Sequence, residues 1–141
     1  MKNPEASILY VEDDDIVREI VCSFITAQYA SISIYSAGSA EGGLELFRKH
    51  RQSIIMTDIN LAGSDGLAMA RSIRTLDPET VIIFITGSSD VERLNEFKGP
   101  APCHCICKPL MHHKLFMLLD SYLKNNFNSK RQKRKEHGGL A

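Results

Sequence analysis

The sequence lacks any apolar run near the roughly 20 residues that would span a bilayer. Its first residues, Met1-Lys2-Asn3-Pro4-Glu5, lack the apolar stretch of a secretory signal. The expected address is therefore cytoplasmic, with no membrane partner. No internal repeat is present, which excludes solenoids and propellers. Net charge is also absent, with 17 Lys and Arg against 17 Asp and Glu. That balance hides an asymmetry. From Lys124 onward six bases face one acid, a net of +5, which leaves −5 on Met1–Leu123. Residues 1–124 are expected to form the domain, and residues 125–141 a basic, poorly ordered tail. The tail has no aromatic beyond Phe127 and no strong amphipathic period. It reads as a solvated end, so nucleic acid is not an expected partner.

Cysteine is scarce, at four residues. Cys103, Cys105 and Cys107 alternate with His104 and Ile106. On a strand the three would share one face, about 6.5–7 Å apart. Structural zinc sites space their ligands differently, and one extended strand cannot wrap a tetrahedral ion. These cysteines are expected to be small buried hydrophobes, reduced in the cytosol.

What remains is a chain of 141 residues with 43% hydrophobic content, enough for one domain with a core. It turns on Ile54-Ile55-Met56-Thr57-Asp58. A short continuous apolar run reads as a strand buried on both faces, as in a parallel sheet. An unpaired charge inside such a strand is very costly, so Asp58 is expected at its carboxyl end. Ligands bind along that edge in open α/β sheets.

The other strands follow the same logic. Ser7–Val11 ends in Glu12-Asp13-Asp14-Asp15. Ser31–Ser36 alternates. Val81–Thr86 runs into Gly87-Ser88-Ser89, and Cys103–Cys107 ends in Lys108-Pro109. Between them lie helical spacings: Ile16 to Ile25 with Asp14 or Asp15 as cap, Gly38-Ser39 to His50, Asp65 to Leu76, Asp90 to Phe97, and a last helix using Leu115, Leu118, Leu119 and Tyr122. Gly42-Gly43 should weaken the second helix by roughly 1 kcal/mol per residue. Five strands alternating with helices imply right-handed βαβ units around a parallel sheet.

In such a sheet all carboxyl ends share one edge. Glu12, Asp13, Asp58, Thr86 and Lys108 then meet there. Carboxylates crowded into one cleft repel unless a cation joins them, and hard oxygen donors suit Mg²⁺. A Lys and a hydroxyl nearby suit a phosphoryl group. The chemistry this points to is attack by Asp58 on phosphorus, giving an aspartyl phosphate. Each residue alone has a plain structural explanation as a cap, a turn former or a solvated strand end. The weight lies in their meeting.

Leu9-Tyr10-Val11-Glu12-Asp13-Asp14, Met56-Thr57-Asp58 with Asp65-Gly66, Ile85-Thr86-Gly87 and Lys108-Pro109 together resemble the response-regulator receiver domain, the CheY-like family of two-component signalling. The resemblance covers Ser7–Leu123. It implies a flavodoxin-like three-layer (βα)5 sandwich with strand order 2-1-3-4-5. It implies Asp58 as phosphoacceptor from a sensor histidine kinase or a phosphotransfer protein. It further implies Asp13 as a direct Mg²⁺ ligand, Glu12 as a ligand through water, and Asn60 as a ligand through its backbone carbonyl. Thr86 would be the switch hydroxyl, Gly87 would keep its approach open, and Lys108 would contact the phosphate with a cis bond to Pro109. The chain would catalyse only its own phosphorylation and dephosphorylation, and signal through a downstream protein or a second copy of itself.

Three departures stand out. Cys105 and Ile106 occupy the places where the family often carries an aromatic switch. Ala62 replaces a common Pro. Gly99-Pro100-Ala101-Pro102 is unusual before the fifth strand and is expected to reshape that surface. A retained phosphorylation site with a modified readout follows. The competing readings are an aspartate-nucleophile phosphatase, disfavoured because Asn60 stands where a second acid is wanted, and a pseudo-receiver that binds partners without phosphorylation.

Overall fold

The computed structural model describes residues 6–87, 90–95, 97 and 103–123. The basic tail, Ser88-Ser89 and Gly99-Pro100-Ala101-Pro102 lie outside these residues.

Each apolar run forms a strand, and each helical spacing a helix. In chain order the elements are β1 (Ser7–Val11), α1 (Asp15–Gln28), β2 (Ser33–Ala37), α2 (Ala40–His50) and β3 (Ile54–Asp58). Next come β4 (Asn60–Leu61), β5 (Ser64–Asp65), α3 (Gly66–Leu76), β6 (Val81–Thr86), α4 (Val91–Leu94) and β7 (Cys103–Cys107). A last helix, α5, covers residues 112–123. Five strands form one parallel sheet in the order β2-β1-β3-β6-β7. Counted among the sheet strands alone, this is 2-1-3-4-5, the doubly wound order. β4 and β5 form a separate antiparallel hairpin.

Two cores result, one on each face. Ile8, Tyr10, Met56, Ile83 and Ile85 pack against Val21 and Ile25 of α1 and Leu115 and Leu119 of α5. Leu9, Val11, Ile55, Ile82 and Phe84 pack against Phe47 of α2 and Leu67, Ala70 and Ile73 of α3. The alternation along each strand divides its residues between these faces.

The helix ends are set by side chains. Asp14, not Asp15, caps α1 by accepting from the Ile16 and Val17 amides. Ser39 caps α2 and Asp65 caps α3. Gly43 does more than weaken α2. A Cβ there would lie 2.7 Å from Val11 Cγ2 and 2.8 Å from Met69 Sδ, so the glycine lets α2 sit close on β1 and α3.

Several expectations need correction. β2 begins two residues later than its alternation suggests, because the Ile32 amide bonds back to the Tyr29 carbonyl and closes a turn. Helix α4 spans only Val91–Leu94. Its Asp90 carboxylate makes no capping bond, a loss worth about 1 kcal/mol. Finally, Cys103, Cys105 and Cys107 do share a face but are free and exposed, not buried. Their strand is at the sheet's edge, and period-two alternation fixes which face a side chain takes without saying whether that face is covered.

Candidate functional site: an acidic cleft at the carboxyl edge of the sheet

β1, β3 and β7 all end at one edge, and residues at or just past their ends line an open cleft of about 500 Å³. Glu12, Asp13, Asp58, Asn60 and Lys108 line it, with Tyr10, Val17 and Ile85 among the apolar walls. One carboxylate oxygen from each of Glu12, Asp13 and Asp58 lies within 4.8 Å of the others. Among the described residues this is the one such cluster of acids, cysteines and histidines.

Asp58 is the buried centre. β3 is wholly buried, and its strand neighbours β1 and β6 hold Asp58 in register beside Ile85. Gly66 closes the position from behind: its amide donates to the Ile59 carbonyl at 2.9 Å, and a Cβ on it would run into the Asp58 carbonyl. Lys108 crosses from β7, and its Nζ donates to Asp58 Oδ2 at 2.5 Å. The register of β7 on β6 places it there, since the Lys108 amide donates to the Thr86 carbonyl at 2.8 Å. The Lys108–Pro109 bond is cis.

Electrostatics follow from crowding. Burial, then the adjacent Asp58 charge, pushes the Glu12 carboxyl up to about 7. Burial works against the Lys108 ammonium, but its bond and attraction to Asp58 prevail and raise it above its ordinary value. Asp13 is more open. Its Oδ2 accepts from the Ala62 amide at 3.1 Å, which ties the acidic cluster to the β4–β5 hairpin. Arg18 braces the cluster from α1, its Nη1 donating to the Glu12 carbonyl at 2.7 Å.

The structure thus brings together Glu12, Asp13, Asp58, Asn60 and Lys108. Thr86 and Gly87 stand one strand away at the end of β6 and do not line the cleft. The Thr86 hydroxyl donates to the Gly87 carbonyl at 2.9 Å instead. Among the described residues nothing lies within 4 Å of a Cβ placed on Gly87. Tyr10 was missed by sequence reasoning as a cleft residue; a strand Tyr gives no signal of its own. Also missed was the hold on Asn60, whose Nδ2 donates to Asp90 Oδ1 at 2.8 Å and whose Oδ1 accepts from Arg93 Nη1 at 2.7 Å. These partners are 30 and 33 residues distant in the chain, and ordinary helix-surface charges carry no mark of such a role.

The arrangement offers three hard oxygen donors for a divalent cation, a buried carboxylate and an ammonium beside it. Comparison with known proteins agrees with that picture. The family model of the response regulator receiver domain matches residues 8–120. The probable C4-dicarboxylate response regulator DctR of Priestia megaterium is 27% identical over 116 residues, which are 82% of this chain and 51% of that protein. The transcriptional regulatory protein AfsQ1 of Streptomyces coelicolor is 34% identical over 86 residues, 61% of this chain and 37% of that one. The chain therefore spans about half or less of these relatives. Among solved structures, a receiver domain protein from Clostridium thermocellum superposes with a TM-score of 0.75 at 21% identity, over 90% of this chain and 98% of that one. The N-terminal domain of a Wolinella succinogenes protein gives 0.74 at 26% identity, over 89% and 98%. With five parallel strands in doubly wound order, an acidic cluster at their carboxyl edge and a family match over most of its length, the chain belongs to the receiver-domain family of two-component response regulators.

Proposed function

We propose that this receiver domain is a phosphoacceptor. Asp58 takes a phosphoryl group from a phosphohistidine of a sensor kinase or phosphotransfer protein, with Mg²⁺, and the phosphorylated form binds its downstream partner differently. The observation that carries this reading is one cleft holding three converging carboxylates with Lys108 Nζ on Asp58 Oδ2.

The donor set fits Mg²⁺: Glu12, Asp13 and Asp58 supply carboxylate oxygens, and the Asn60 carbonyl would complete the protein's share. The bound ion would neutralise charge on the transferring group. Asp58 is held end-on to the open cleft, so one oxygen can attack phosphorus. A P–O bond forms, the donor's P–N bond breaks, and the imidazole nitrogen keeps the bonding pair. Lys108 leaves Asp58 Oδ2 for a phosphoryl oxygen and stabilises the charge there. Thr86 must give up its bond to the Gly87 carbonyl to reach the new group.

The donor's surface has a counterpart here. Ile16, Val17, Ile20 and Phe24 of α1 stay exposed although they follow helical spacing. Val17, Ile20 and Phe24 line a groove with Leu110 and His112, and Val17 and Leu110 line both that groove and the acidic cleft. A donor protein covering this apolar patch would bring its phosphohistidine to the cleft mouth.

Acetyl phosphate with Mg²⁺, read by intact mass, tests the proposal. One phosphate adduct, lost in Asp58→Asn, is the expected result. No adduct on the unsubstituted chain would leave an interaction module that works without phosphorylation.

A further inference from the structure

The β4–β5 hairpin pairs Asn60 with Asp65, and one side chain from α4 spans the pair. Arg93 Nη1 donates to Asn60 Oδ1 at 2.7 Å, and Nη2 donates to Asp65 Oδ2 at 2.9 Å. A planar guanidinium fixes two acceptors at once, which a Lys ammonium does not. Asn60 answers by donating Nδ2 to Asp90 Oδ1 at 2.8 Å, three residues before Arg93. Asp65 is committed twice, because its Oδ1 also caps α3 through the Leu67 amide at 2.9 Å. The same hairpin reaches the cleft from its other side: Asn60 lines it, and the Ala62 amide donates to Asp13 Oδ2. One short hairpin is thus gripped by α4 and by the acidic cluster together.

Asp90 holds the N-cap position of α4 yet makes no capping bond. Asp is a favoured cap, and here its carboxylate is turned to Asn60. The same group is wanted at two places.

We propose that Arg93 and Asp90 form a tether through which α4 senses whether the Asp58 cleft is filled, with Arg93 as a positioning residue for the Asn60–Asp65 hairpin. For its ligand, this rests on the phosphoacceptor reading. On that reading, a cation held through the Asn60 backbone carbonyl would compete with the Asn60–Asp90 bond and leave the Asp90 carboxylate able to cap α4. The hairpin and the helix exchange one acceptor between two states. The route needs no aromatic in β7, where Cys105 and Ile106 stand. Coupling of this kind is reciprocal: the factor by which the tether alters Mg²⁺ affinity is the factor by which Mg²⁺ alters the tether.

Amide hydrogen exchange on the full chain tests it in two arms. In metal-free protein, Arg93→Ala and Asn60→Ala should speed exchange across Leu61–Asp65 by about fivefold or more, with Arg93→Lys intermediate because one donor replaces a fork. Asn60→Ala should at the same time slow exchange at Glu92 and Arg93, since Asp90 is then free to cap, and Asp90→Ala should not. In the second arm, Mg²⁺ with beryllofluoride should slow those α4 amides in the unsubstituted chain and leave them unmoved in Asp90→Ala. Arg93→Ala should change the Mg²⁺ dissociation constant by about fivefold. Hairpin exchange unchanged by Arg93→Ala would overturn the tether. α4 amides that ignore saturating Mg²⁺ would overturn its coupling to the cleft. Failure of the unsubstituted chain to bind Mg²⁺ would overturn the phosphoacceptor reading, and the metal-free arm would still decide the tether.

Discussion

β3 and β7 are equal in length and parallel in one sheet, yet all five residues of β3 are buried while only Ile106 of β7 is. β3 has a strand on each side; β7 stands at the edge beside β6. The two groups that meet in the cleft are therefore mounted differently. The Asp58 side chain is 7% exposed and its backbone is pinned by Gly66, whereas the Lys108 side chain is 44% exposed. A nucleophile gains from a fixed position, since attack needs alignment. A cation that follows charge from one oxygen to another gains from a looser mount. On the proposed function, the unequal strands give each group the support its role would require.

This contrast can be broken by substitution. Ile55→Ala in β3 should cost about 2–5 kcal/mol, because it leaves a cavity in a fully packed core. Cys105→Ala in β7 should change stability by less than about 0.5 kcal/mol, as an exposed site does. Chemical denaturation measures both, and equal losses would remove the distinction. Next in size is Lys108→Ala, which should slow labelling by acetyl phosphate about 10²–10³-fold through lost charge stabilisation. A rate within about twofold of the unsubstituted chain would deny Lys108 its part. Gly66→Ala should cost about 1–3 kcal/mol and also slow labelling, because the new methyl group displaces the Asp58 carbonyl. A stability loss with normal labelling would show that Asp58 need not be pinned.

The smallest effect is a pH dependence. Burial, reinforced by Asp58, raises Glu12 to about 7, so the folded chain keeps a proton that an unfolded chain has already released. The stabilisation is full below the ordinary carboxylate range and fades as pH rises through about 7. Metal-free protein should thus be more stable at about pH 5.5 than at about pH 7.5, by on the order of 1–2 kcal/mol. Glu12→Gln should flatten that slope. Thermal melts in the presence of a chelator check both.

Much of this was legible in the chain. Continuous apolar runs marked β3 and β6, and acids at strand ends marked the cleft, because burial forbids charge anywhere but the ends. Asp65 as the α3 cap was readable for the same local reason. The β4–β5 hairpin was not, since two residues per strand show no period and the segment reads as a turn around Gly63, at φ 72°. The bare face of β7 was hidden too. Spacing puts Cys103, Cys105 and Cys107 together, but it does not say whether anything covers that face. The exposed stripe on α1 escaped for a related reason. Ile16, Ile20 and Phe24 have core spacing, and only the packing against α5 shows that Val21 and Ile25, with Cys22 at the margin, are the α1 residues that reach the core.

Strands distant in sequence build one cleft in which Glu12, Asp13 and Asp58 converge beside Lys108, and the proposed function needs it to hold a divalent ion. The most direct measurement is a titration with Mg²⁺ and beryllofluoride, an inert stand-in for the phosphoryl group, followed by amide NMR. Saturation is expected at one Mg²⁺ and one beryllofluoride per chain, with shifts at Glu12, Asp13, Asp58, Asn60 and Lys108 that vanish in Asp58→Asn. Absence of saturable binding, or binding that survives Asp58→Asn, would contradict it.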